Sequence, residues 1–214
     1  RTVLLILAVL VAALLQSVPR GRTFFRTAIF VPYMTSTVAI TTIFMQLFVA
    51  GGPATSVLAR FGVPDVTWYA TPSLALAFLI VVYVYTFVGL YVVIFVGGME
   101  SIPQSLYEAA TVDGAGAVRR FWHITLPGLR PFMVFVLLAG FIQAVQVFDQ
   151  AYVITGGTTL GSPAGATSTI VIFIYQNAFR LNALGYGSAA TVVLLVGILV
   201  AGLISRRVTE RAAR

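Results

Sequence analysis

Five apolar stretches, at residues 2–18, 27–50, 72–97, 132–155 and 186–205, take up most of the chain and are set apart by glycine, proline and arginine. Each is about as long as a helix needs to cross hydrocarbon, roughly 20 residues. The runs are continuous rather than alternating, so they predict helices and not outer-membrane strands. The pattern breaks most sharply at residues 108–131, EAATVDGAGAVRRFWHITLPGLRP. That insert places Glu108, Asp113, Arg119, Arg120, His123 and Arg130 within 23 positions, and such a segment belongs in water rather than in lipid.

Between the runs the polar residues predict smaller pieces. RGRTFFR after Pro19 reads as a short basic loop carrying Arg20, Arg22 and Arg26. In the second run, Pro32 is followed by Thr35, Ser36, Thr37, Thr41 and Thr42, hydroxyls able to back-bond to their own helix or to face a neighbour. Residues 51–71 read as a loop with a short helix, and Trp68 and Tyr69 near its end suit the headgroup level. Residues 156–168 are a loop by composition. The eleven apolar residues 169–179 make only about 16 Å of helix, so a half-helix or an interfacial one is expected there.

Composition sharpens the picture. The chain of 214 residues is 59% hydrophobic and 9% charged, with a mean hydropathy of +1.00, where a soluble domain carries about 25% charged residues. An all-α, polytopic transmembrane bundle of one domain over residues 1–214 is the expected fold class. The net charge of +7 rests on arginine, there being no lysine, and in a membrane protein it is first a topology signal; no nucleic-acid partner is expected. With five spans, Arg20, Arg22, Arg26, Arg119, Arg120, Arg130, Arg206, Arg207, Arg211 and Arg214 share one side, leaving Arg1, Arg60 and Arg180 opposite. If residues 169–179 also crossed, the split would become seven against six, and the positive-inside rule prefers ten against three. The loop at residues 98–131 and the C-terminus are therefore expected in the cytoplasm. The start at Arg1, without methionine and running straight into a span, leads us to expect a missing upstream helix.

The candidate chemistry is that of binding, not reaction. Without lysine the phosphate-binding sequence GxxxxGK[ST] cannot occur, which argues against an ATPase. There is no cysteine, and the single histidine, His123, has no nucleophile at a motif spacing, so no catalytic residue and no metal site are expected. Gln143, Gln146 and Gln150 fall on one face of a helix, with Asp149 beside Gln146. A carboxylate at mid-bilayer costs about 2.5–3.5 kcal/mol, so this face should meet protein or a watery cavity. With Tyr83 and Tyr152, and more weakly Asn177, it offers the amides and rings a sugar site uses; interhelical hydrogen bonding between packed spans is the equal alternative.

The insert has a predicted shape. Ser101 and Gln104 fit a capping box, and a helix over about 102–112 would end at Gly114. Ile102, Leu106 and Ala109 or Ala110 would pack on the protein itself, and Pro127 would stop any second helix starting near Ala115. A solvated charged loop would account for this much.

The order Glu108, Ala109, Ala110, then Gly114, Ile124, Leu126 and Pro127 also resembles the EAA loop of ABC importer permeases, in its carbohydrate-transporting, maltose/trehalose/glycerol-phosphate branch. The preceding SIPQSLY, FDQAYVITGG at 148–157 and GYGSA at 185–189 are similar to that branch too, although the proline usual after the glycines is Thr158 here. The resemblance covers residues 27–207. It implies a bacterial inner-membrane permease whose Glu108, Ala109, Ala110, Asp113 and Gly114 form a coupling helix docked on an ATPase. It further implies a second permease subunit, two ATPase subunits that bind ATP and Mg, and an extracytoplasmic sugar-binding protein; the chain itself would hold no cofactor and would contact membrane lipid and these partners. A self-sufficient ion-coupled carrier using Asp149 is the alternative, against which the lack of an evident inverted repeat counts.

Overall fold

The computed structural model describes residues 2–17, 21–157 and 160–212, and the side chains of all of these except 2, 3, 17 and 205–212. Arg20, Thr158 and Arg214 lie outside the described residues, as do the side chains of Arg206, Arg207 and Arg211. The regular elements among the described residues are all helices, with no strand. In order they form α1 (Thr2–Ser17), α2 (Arg22–Met34), α3 (Thr37–Leu47), α4 (Pro53–Ala59), α5 (Pro72–Glu100), α6 (Gln104–Val112), α7 (Ala117–Arg120), α8 (Leu126–Gly128), α9 (Arg130–Val145), α10 (Asp149–Ile154), α11 (Ile170–Tyr175) and α12 (Leu184–Ala212). Wide π-turns at Phe121–Thr125 and Gln176–Arg180 join α7 to α8 and extend α11.

Three segments among the described residues, Pro72–Glu100, Arg130–Ile154 and Leu184–Ile204, are long and apolar enough to cross a membrane. The second apolar run is not one straight helix: it breaks and bends between α2 and α3 at Thr35 and Ser36. Its threonines back-bond, Thr41 donating to the Thr37 carbonyl at 2.7 Å and Thr42 to that of Val38 at 2.9 Å. The expected basic loop is also corrected. Arg22 and Arg26 stand in the first turns of α2, because arginine is a good helix former and Gly21 already accepts the Phe25 N–H.

By its contacts the chain divides into two compact units. The first comprises residues 1–31, 88–140 and 202–214. Its core holds Ala8, Ala12, Val92, Phe95, Val96 and Leu129. Here α2 and α5 touch backbone to backbone: a Cβ on Gly89 would overlap the Ile29 carbonyl, so only glycine permits this approach. Arg22 and Arg26 both reach Glu100 at the end of α5, at 3.1 and 3.5 Å.

The second unit comprises residues 32–87 and 141–201. Phe78, Val82, Thr41, Thr55, Thr86, Ala151 and Ile172 form its interior, where α3 packs on α10. Trp68 and Tyr69, expected at headgroup level, pack on Phe48 and Phe78 within this unit.

Candidate functional site

The first candidate surface is the polar insert, all of it in the first unit. Instead of forming a capping box, the Ser101 hydroxyl donates to the Gly98 carbonyl at 2.7 Å, and α6 starts after Pro103 with no side-chain cap. The fixed φ of proline sets the turn directly, which leaves the serine free to close the end of α5. The other end follows the expected stop. Gly114 has φ +73°, its N–H bonds the Thr111 carbonyl at 3.1 Å, and the Ala115 N–H bonds that of Ala110 at 2.8 Å. That pair of bonds is a Schellman cap, and its left-handed position suits glycine.

Two side-chain links hold α6 against the segment that follows. The Tyr107 hydroxyl lies 2.9 Å from the Thr125 Oγ1, and Arg120 donates to the Thr111 Oγ1 at 2.9 Å. Tyr107 therefore takes the inward position assigned to Leu106, which is 50% exposed. Tyr107 is half-buried, and Thr125 supplies its hydroxyl with a partner only in this helix phase. Glu108, Ala109, Asp113 and Gly114 are exposed, and Ala110 is half-buried.

Nor does Pro127 stop the second helix. Residues 117–128 stay helical because the π-turn at Phe121–Thr125 shifts the bonding: the Leu126 N–H bonds the Phe121 carbonyl, one residue further back than in an α-helix. The widened turn accommodates a proline that lacks an N–H and would clash in a regular helix.

The second candidate site lies in the second unit. A cavity of about 300 Å³ is lined by Tyr83, Gln143, Gln146, Asp149 and Gln150, together with Thr37, Phe87, Val147 and Phe148. Five of the residues singled out in the sequence thus share one cavity, at the small end of the range for ligand pockets, roughly 300–1,000 Å³. They do so although the helix is interrupted. The ladder stops at Gln146–Phe148, α10 restarts at Asp149, and the break carries the polar groups around the cavity rim. Gln146 and Asp149 are exposed, whereas Gln150 is 4% exposed.

Tyr152 and Asn177 stand elsewhere. Tyr152 belongs to a ring cluster with Phe148, Tyr175 and Phe179, and Asn177 donates to the Phe173 carbonyl at 2.9 Å. Phe87 and Thr37 were not singled out from the sequence. Phe87 could have been, since it falls one helical turn after Tyr83, and the two rings stand 4.5 Å apart.

The chain matches the family described as the binding-protein-dependent transport system inner membrane component over residues 5–214, and it belongs to that family. It is a multi-pass membrane protein. Over 210 residues it is 33% identical to the arabinooligosaccharides transport system permease protein of Bacillus subtilis, covering 97% of this chain and 66% of that protein. Over 143 residues it is 40% identical to the sulfoquinovosyl glycerol transport system permease protein of Agrobacterium fabrum, covering 67% of this chain and 45% of the relative. The chain thus spans two thirds or less of the length of these curated relatives. It also resembles a chain in the crystal structure of a bacterial alginate ABC transporter in complex with an alginate pentasaccharide-bound periplasmic protein. That likeness has a TM-score of 0.79 at 24% identity, covers 95% of this chain and 72% of the other, and shows the fold.

Proposed function

We propose that the chain is the membrane-spanning permease subunit of a bacterial ATP-driven carbohydrate importer. In this reading it lines part of the translocation path and receives its driving force from a separate ATPase. The observation that carries the coupling role is the geometry of α6: a nine-residue helix, tied to the following segment by Tyr107 and Arg120, that leaves Glu108 and Ala109 exposed. A helix held in this way moves as one piece with the segment it rests on, and a partner that engages Glu108, Ala109, Ala110, Asp113 and Gly114 can push on it.

The hydrolysed ATP and its Mg belong to two ATPase subunits, a second permease completes the path, and an extracytoplasmic binding protein delivers the sugar. Family membership supports this assembly. The arginine count supports a cytoplasmic coupling loop and C-terminus. Exposed leucines and valines along α12, among them Leu195, Leu199 and Leu203, suit lipid or the second permease. Tyr83, Gln143, Gln146, Asp149 and Gln150 form the sugar-contacting part of the path, where amides and a carboxylate bond hydroxyls and Phe87 offers a stacking face.

Reconstitution of the full-length permease with its partner subunits tests the reading: uptake must follow ATP. Uptake by the permease alone, driven by a proton gradient, contradicts it.

A further inference from the structure

Behind the exposed face of α6 the first unit carries two adjoining hollows. One, of about 280 Å³, is lined by Ala110, Asp113, Ala115, Arg119, Arg120, His123 and Ile124. The other, of about 490 Å³, is mainly apolar, with Ile102, Leu106, Pro127, Pro131 and Phe132 in its walls. His123 and Ile124 stand between them and line both. The His123 ring is fixed by a bond between its Nδ1 and the Arg119 carbonyl at 2.9 Å.

The charges in the first hollow do not cancel. Arg120 spends one nitrogen on Thr111, and among the described residues neither Arg119 nor Arg120 makes an ion pair. Two guanidinium groups therefore face one carboxylate, Asp113. Val112 and Val118, the sequence neighbours of Asp113 and Arg119, are 88% and 73% exposed, apolar side chains left uncovered in the same segment as the unpaired arginines. Protein interfaces are enriched in arginine and bury apolar side chains inside a polar surround. Asp113 in the lining opposes an anionic lipid, which carries its charge as a sheet, but not a partner protein with charges of both signs.

We propose that the Arg119–Arg120–His123 hollow receives a carboxylate side chain of the ATPase partner, with an apolar neighbour of that carboxylate seated in the hollow beyond Ile124. This second anchor rests on the coupling role proposed for α6 and adds to it a site of opposite charge.

Residues 1–214 contain no lysine, so a lysine introduced here is a new amine in this segment, and the contact can be tested in the assembled complex in nanodiscs containing phosphatidylserine. Arg119→Lys keeps the charge and supplies an amine that a zero-length carbodiimide can join to a touching carboxylate. We expect a new permease–ATPase cross-link, absent from the parent, at an aspartate or glutamate within one helical turn of an exposed apolar residue. No new cross-link in a variant that assembles and transports like the parent overturns the proposal, as does an adduct with phosphatidylserine instead. Arg119→Gln should weaken ATPase association about tenfold, the cost of one charged hydrogen bond, and unchanged association overturns it as well. If the parent permease does not bind the ATPase at all, the coupling role itself fails and this anchor with it.

Discussion

The hydroxyl of Thr169 donates to the main-chain carbonyl of Val147 at 2.7 Å, across 22 positions of sequence. The same oxygen accepts the Ile172 N–H at 3.2 Å and so caps α11. One threonine thereby satisfies a carbonyl freed by the interruption between α9 and α10 and also starts the short helix beyond the loop. The interruption that shapes the polar cavity is held by this residue.

Thr169→Val removes both bonds at nearly constant volume and should destabilise the second unit by about 1–3 kcal/mol, whereas Thr169→Ser should retain most of the stability. Thermal melting of the purified permease in detergent checks this; equal melting of parent and Val variant would separate the bond from stability.

Gly89 makes a complementary prediction in the first unit. Gly89→Ala should force α2 and α5 apart and cost about 1–3 kcal/mol, because the added carbon meets a carbonyl rather than a side chain that can turn aside. The measurement is the yield and melting temperature of the variant against a control substitution at Gly97, where a Cβ meets nothing within 4 Å.

Around the cavity, exposure separates two amides that look alike in sequence. Gln146→Ala, at an exposed rim position, should lower the affinity for sugar about tenfold with assembly intact. Gln150→Ala, at a buried position, should reduce stability and transport together. Transport KM and complex yield, measured side by side, distinguish them. Equal losses in both for Gln146→Ala would favour interhelical packing over a sugar contact.

The ion pairs of Glu100 are half-exposed, so Glu100→Gln should cost less than about 1 kcal/mol, and that difference should shrink as salt is raised. Melting curves at low and high ionic strength measure it. A large loss that is insensitive to salt would show that Glu100 acts through something other than Arg22 and Arg26.

Much of this was legible in the chain because membrane helices are written as apolar runs and any polar residue inside one is costly. Gln143, Gln146, Asp149 and Gln150 stood out for that reason, and they do line one cavity. The insert stood out against its apolar setting, and Gly114 marked the end of α6. The helix breaks were not legible. The Gln146–Phe148 break sits inside a run whose apolar pattern reads straight through, and its partner, Thr169, lies 22 residues away. Tyr107 was not singled out, because its inward turn is decided by a hydroxyl finding Thr125, a tertiary fact. At Pro127 the usual rule gave way to a π-turn, a local geometry that no residue in FWHIT announces.

The most direct test of the central claim is sugar uptake into proteoliposomes holding the full-length permease, its second permease, the ATPase and the binding protein, with Glu108→Lys alongside the parent. Labelled trehalose, maltose and longer oligosaccharides serve as substrates. The account predicts uptake that requires ATP, survives a protonophore, and falls at least tenfold in the Glu108→Lys complex together with ATPase association, while the variant still inserts in the membrane. Uptake that persists without ATP or ATPase and collapses with the proton gradient, or that is unchanged by Glu108→Lys, would contradict it.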